Sequence, residues 1–260
     1  MIVFETIAYA DGDTALTGLL ACPEGTPRAA VAVFPTIFNT TPGVEAKARA
    51  LVEAGYLAMV CDFYGRTPAD LSDAFAMGHA LRSHPATFRQ RLNAGLDALR
   101  EAAGDVPMLA IGFCMGGASV LELARDGADL VAVASFHGLL DTAAKADRPI
   151  SSRILVCHGD ADKFVPRSQV IAFWEEMDAV GADWHFHSYA GVDHGFTNAR
   201  MLDGSDNPAY DASADRQSWA AMHALFDEVL QENRRCRSQS AEPALMENDK
   251  SGGPARGQKP

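Results

Sequence analysis

The chain has 260 residues, 48% hydrophobic and 22% charged, enough for one α/β domain with a large core. Acidic residues outnumber basic ones 34 to 22, a formal net charge of −12 that argues against a nucleic-acid or anionic-membrane partner. No stretch approaches the roughly 20 apolar residues of a membrane span, and the start, MIVFETIAYADGD, lacks a basic segment and carries Glu5, unlike a secretory leader.

Residues 2–9 and 16–22 are expected to be strands around the turn Ala10-Asp11-Gly12-Asp13. The continuous apolar runs AAVAVF (29–34) and YLAMVC (56–61) predict strands covered on both faces, with a helix over 44–54 between them. A weaker helix is expected over 70–83, then a clearer one carrying the stripe Phe88, Leu92, Leu96, Leu99. Strands follow at 108–111, 130–136, 154–157 and 184–189. Helices are expected over 116–125, along Val170, Phe173, Trp174 and Met177, and along Trp219, Met222, Phe226, Val229 and Leu230. This alternation is the pattern of a mostly parallel sheet with helices on both faces. From Gln231 the composition turns polar and rich in Gly, Pro and Ser, so a single domain over 1–230 and a disordered tail over 231–260 are expected.

Five cysteines (Cys22, Cys61, Cys114, Cys157, Cys236) are scattered, odd in number and without a C-x-x-C pair. That usage favours reduced thiols in a cytoplasm and gives no support to a zinc ribbon. One of them is framed as Gly112-Phe113-Cys114-Met115-Gly116 between a strand and a helix. This is the pattern of a nucleophile elbow, with sulfur in place of the usual serine oxygen. The positive end of the following helix would favour a thiolate there. Gly112 and Gly116 suit a crowded turn, and Gly117 suits close helix–strand packing. A buried cysteine in an ordinary Gly-rich turn is the plainer alternative.

The segment Cys157-His158-Gly159-Asp160-Ala161-Asp162 follows a strand and offers two acids able to orient an imidazole. Asp160 lies in the Gly-Asp turn, where a carboxylate commonly bonds its own backbone, so Asp162 is the better candidate and His158 reads as structural. The loop after the last strand carries His194. The order Cys114, Asp162, His194 is the nucleophile–acid–histidine order of α/β-hydrolases, each after a strand. Residues Thr36, Ile37 and Phe38 leave the strand at 29–34, where an oxyanion-stabilising N–H would lie. Ile37 and Met115 are the candidate backbone donors.

These segments, PTIF, DFYG (62–65), GFCMGG, GDADKFVP and DHGFTN, span nearly all of residues 1–230 and resemble the dienelactone hydrolase family, the cysteine-using branch of the α/β-hydrolases. The resemblance implies an α/β-hydrolase fold and hydrolysis of a small ester or enol-lactone through an acyl-cysteine, without metal or organic cofactor. By motif match it implies Cys114 as nucleophile, His194 as base and Asp162 as its partner; a monomer or homodimer is expected. The best-known members have a glutamate where this chain has Thr36. They have a carboxylate-binding arginine where it has Asn198, which points to a neutral or differently charged substrate. Thr36, Phe38, Tyr64, His137, Phe196 and Asn198 are the candidate pocket residues, with His137 open to a substrate-contact or a structural reading.

Two other readings compete. One is a hard-metal site on His158, Asp160, Asp162, Asp193 and His194. The other is a non-catalytic thiol sensor or binding protein on a hydrolase fold.

Overall fold

A computed structural model describes residues 2–240, which form one eight-stranded sheet and six helices. Strands β1 (Glu5–Asp11) and β2 (Thr14–Ala21) make an antiparallel hairpin with Asp11 opposite Thr14. The turn between them is the two-residue Gly12-Asp13, tighter than the sequence suggested. Gly12 has φ +55°, a conformation such short hairpin loops demand and glycine accepts without strain.

From β3 (Ala30–Phe34) onward the chain winds in parallel through β4 (Leu57–Val60), β5 (Met108–Phe113), β6 (Ala132–Phe136), β7 (Arg153–Gly159) and β8 (Trp184–Tyr189). The order across the sheet is β1-β2-β4-β3-β5-β6-β7-β8, with β2 antiparallel to β4. Every residue of β3 to β6 is buried, because helices cover both faces of the central strands. On one face α1 (Pro42–Glu53) and α6 (Ala212–Ser240) pack Leu51, Met222 and Phe226 against Val31, Ile111 and Ala134. On the other, α3 (Pro85–Ala103), α4 (Met115–Asp126) and α5 (Arg167–Ala179) pack Leu92, Val120 and Phe173 against Ala32, Ala110 and Val156. The remaining helix, α2 (Leu71–Arg82), starts on an N-cap in which Asp70 accepts the Asp73 N–H.

Beneath α4 lies a buried ion cluster. Arg125 reaches Glu176 on α5 at 2.9 Å and Glu122 on its own helix at 3.1 Å, and Arg89 on α3 reaches Glu122 at 2.9 Å. Three helices are thereby clamped together under the element that follows the candidate nucleophile.

The C-terminal boundary differs from expectation. The last helix does not stop near residue 230 but continues to Ser240. Its apolar stripe ends at Leu230, yet Glu, Gln and Arg are good helix formers, so an anchored helix extends into solvent beyond its last packed turn. The rest of the expected tail, 241–260, lies outside the described residues. No helix among the described residues is long and apolar enough to cross a membrane.

Candidate active site

Strand β5 enters the site and α4 leaves it, with Cys114 on the corner at φ 55° and ψ −114°. A side chain rarely adopts this left-handed region, and neighbours must hold it there. They do so by crowding. A Cβ on Gly112 would lie 1.9 Å from the Gly116 carbonyl oxygen, and one on Gly116 would lie 2.0 Å from the Phe34 oxygen. The Cys114 side chain is half-buried at the positive end of α4.

The loop after β7 brings Asp162 to this corner, and the loop after β8 brings His194. Nδ1 of His194 and Oδ2 of Asp162 are 2.7 Å apart, the carboxylate fully buried. The other carboxylate oxygen accepts the Phe164 N–H at 2.8 Å, which fixes its plane. The Cys114 side chain also acts on the His194 ring. Burial opposes a charged imidazole, the largest single influence on the ring. The hydrogen bond to Asp162 and the favourable interactions with Cys114 and with the Asp162 charge outweigh it, and the His194 pKa is pushed up to about 10. This arrangement can hold a thiolate–imidazolium pair oriented by a buried acid.

It is Asp162, not Asp160, that reaches His194. Asp160 turns outward to a two-pronged pair with Arg167 at 2.8 and 2.6 Å. Asp193 accepts the backbone N–H of His194 at 2.7 Å. His158 is buried, with no hydrogen-bond partner for either ring nitrogen among the described residues, and burial lowers its pKa. Of these five residues only the Asp162 and His194 side chains are seen to meet, and among the described residues no three His, Cys, Asp or Glu side chains converge as metal ligands.

Phe34 on β3 pairs with Gly112 on β5, so the two loops that leave these strands emerge side by side. One carries Thr36, Ile37 and Phe38, all half-buried; the other carries Cys114 and Met115. The N–H of Met115 opens α4, where first-turn donors have no intrahelical acceptor. The Thr36 hydroxyl accepts the Phe38 N–H at 3.3 Å and so serves its own loop. Tyr64 lies beside the elbow, its hydroxyl 3.3 Å from the Met115 sulfur. Burial first, then the nearby Cys114 and Asp62 charges, raise its pKa. Asn198 closes a turn onto Gly195, its N–H donating to that carbonyl at 3.1 Å.

Two of the expected pocket residues are not on a pocket wall. Phe196 is completely buried, packed edge-on against Tyr189 and His137 within the core on the α6 side. His137 is likewise fully buried, bonded to the Cys114 N–H and to Thr197. Their side chains turn inward although their chain positions lie at the catalytic end of the sheet. Conversely, sequence reasoning missed Phe164, whose half-exposed ring stands edge-on to His194, and Thr197, which is buried behind it. A turn on Asp162 would have hinted at Phe164, two residues on; Thr197 lies within the matching segment DHGFTN, but nothing there singles it out.

A doubly covered, mostly parallel sheet, with a cysteine elbow after β5, an acid after β7 and a histidine after β8, is the arrangement of an α/β-hydrolase. The dienelactone hydrolase family model matches residues 16–230, and the chain belongs to that family. A dienelactone hydrolase-like promiscuous phosphotriesterase from metagenomic libraries superposes with a TM-score of 0.80 at 35% identity, covering 88% of this chain and 98% of that one. An uncharacterised Caenorhabditis elegans protein is 37% identical over 148 residues, 55% of this chain and 94% of its own. The probable 2-oxo-3-(5-oxofuran-2-ylidene)propanoate lactonase of a Bradyrhizobium species is 29% identical over 212 residues, 74% of this chain and 85% of its own. The family and these neighbours support assignment as a hydrolase.

Proposed function

We propose that the chain hydrolyses a small, uncharged carboxylic ester or lactone through an acyl-thioester on Cys114, with His194 as base and Asp162 as its counter-charge. The observation that carries this reading is the 2.7 Å contact of His194 with the buried Asp162 beside a strained cysteine corner.

The steps follow from those positions. His194 takes the Cys114 proton, and the thiolate attacks the carbonyl carbon. The oxygen that gains the electron pair is met by the N–H groups of Ile37 and Met115, each such donor lowering the barrier by on the order of 3 kcal/mol. Collapse of the adduct breaks the C–O bond, and the departing alkoxide takes the proton from His194. A water molecule then gives a proton to His194 as it attacks the thioester, and the acid leaves with Cys114 restored.

Thr36 and Asn198 put no charge at the positions where the best-known relatives carry glutamate and arginine, which favours a neutral substrate over a carboxylate-bearing lactone. The phosphotriesterase relative, uncharged in its substrate class, extends the same reading to neutral phosphate triesters. A mechanism that needs a reduced thiol suits a cytoplasmic location, and Cys22, Cys61, Cys114 and Cys157 are all unlinked.

The test is intact-mass spectrometry after brief mixing with p-nitrophenyl acetate, with nitrophenolate release followed in wild type and Cys114→Ala. An acetyl adduct mapped to Cys114, and turnover lost in the variant, is the expected result. Equal behaviour of the two proteins overturns it in favour of a thiol sensor or binding protein.

A further inference from the structure

We infer that His137 and Thr197 form a positioning pair that ties the nucleophile's corner to the loop carrying the base. The inference rests on the reading of Cys114 and His194 as nucleophile and base. His137 follows β6, and Thr197 lies three residues beyond His194; both are buried, His137 completely. The His137 backbone sits at φ 40°, one of three residues other than glycine among those described with a positive φ, and Cys114 is another. Two strained backbone positions on neighbouring strands are thus placed in contact.

The hydrogen bonds define the state of the ring. The Cys114 N–H, which also reaches the Phe136 carbonyl at 3.0 Å, lies 3.1 Å from Nδ1 of His137. A backbone N–H can only donate, so Nδ1 is the acceptor and the ring proton sits on Nε2. Nε2 then donates to the Thr197 hydroxyl, 2.9 Å away. A charged ring would carry a proton on both nitrogens and turn one against the Cys114 N–H. Burial, with the charges of His194 and Lys47 facing the ring, keeps it neutral. The same imidazole stands edge-on to His194, centroids 5.2 Å apart. It therefore touches the corner's amide, the ring of the base and the loop that carries the base.

The consequence is mechanical. Cys114 and His194 come from loops after β5 and β8, with β6 and β7 between them. The span from Cys114 N–H through His137 to Thr197 crosses that gap with two hydrogen bonds and sets the sulfur–imidazole separation. Without the Thr197 hydroxyl, the buried Nε2–H has no acceptor. The ring is then driven towards the other tautomer, whose Nδ1–H would oppose the Cys114 N–H.

Thr197→Val keeps the side chain's shape and removes the acceptor, and Thr197→Ser restores it. Acetylation of Cys114 by p-nitrophenyl acetate is followed by mass, with kcat, KM, thermal stability and the pH dependence of Cys114 alkylation by iodoacetamide. Thr197→Val is expected to acylate about tenfold more slowly at unchanged KM, in line with the steep cost of misplacing reacting groups. Its alkylation midpoint is expected to move to higher pH, and Thr197→Ser to recover to within about twofold of wild type. His137→Asn tolerates the positive φ and offers the Cys114 N–H an oxygen but cannot reach Thr197, so it is expected to behave like Thr197→Val. If the valine variant does not fold, His137→Asn decides the matter. Wild-type acylation rate and pH dependence in a folded Thr197→Val or His137→Asn, or a loss in Thr197→Val that serine does not repair, overturns the inference alone. Absence of any acyl-Cys114 in the wild type overturns the catalytic reading, and the positioning role with it.

Discussion

The ring of Phe164 stands edge-on to the imidazole of His194, centroids 4.9 Å apart, while the Phe164 N–H holds the Asp162 carboxylate at 2.8 Å. One residue thus serves the acid with its backbone and shields the base with its side chain. Phe164→Ala keeps the first contact and removes the second. Because the ring is 54% exposed, stability should change by less than about 1 kcal/mol. The KM for an apolar ester should rise several-fold, as steady-state kinetics with p-nitrophenyl butyrate would show; an unchanged KM would mean the ring contacts no substrate.

Asp162→Asn removes the negative charge that supports a protonated His194. A kcat loss on the order of 10³–10⁴ is expected, as when a buried triad acid is neutralised. Burial still disfavours the imidazolium after the charge is gone, so the His194 pKa should fall from about 10. The alkaline limb of kcat/KM against pH should move to lower pH accordingly. A variant with a wild-type profile would remove Asp162 from the mechanism.

The raised His194 pKa is also a statement about stability. Folding favours the protonated ring, so this contribution is complete below the ordinary value of 6.5 and is lost as pH rises through about 10. Urea unfolding should show stability declining between those limits, and Asp162→Asn should flatten the decline. A wild-type stability that rises over this window would contradict the coupling.

Arg125→Met would leave Glu122 and Glu176 buried without their shared cation. Removing one partner of such a cluster typically costs about 3–5 kcal/mol, and urea unfolding at neutral pH should register a loss of that size. Adding Glu176→Leu should recover much of it, since Glu122 keeps Arg89 as a partner and the penalty comes from the carboxylate left without a cation.

The double variant Thr36→Glu, Asn198→Arg restores the charges found in the best-known relatives. Relative kcat/KM should shift by about tenfold or more towards a carboxylate-bearing lactone and away from neutral esters, given the strength of a charge-assisted pair. Competition between the two substrates would measure the ratio directly; no shift would separate these positions from substrate choice.

Much of this architecture is legible in the sequence for a physical reason. Buried parallel strands must be apolar throughout, so AAVAVF and YLAMVC stand out from the loops around them. The site residues stand out because each comes after such a run. A strand gives way to a loop whose side chains can face either way, so Phe196 and His137, expected on a pocket wall, lie in the core. Thr197 sits inside the matching segment DHGFTN, yet its contact is with a ring sixty residues away in the chain, which no local pattern announces. Helix α6 outruns its apolar stripe because propagation needs only good helix formers once the first turns are anchored.

The pairing of Phe34 with Gly112 has a wider consequence. The loops that carry Ile37 and Met115 leave adjacent, hydrogen-bonded strands spaced by about 4.8 Å, so the sheet brings these two loops together whatever side chains they bear. Residue 36 can exchange a carboxylate for a hydroxyl without altering the strand pairing beneath it. The scaffold thereby decouples the machinery that would break a bond from the side chains that would choose which bond, and each can diverge on its own.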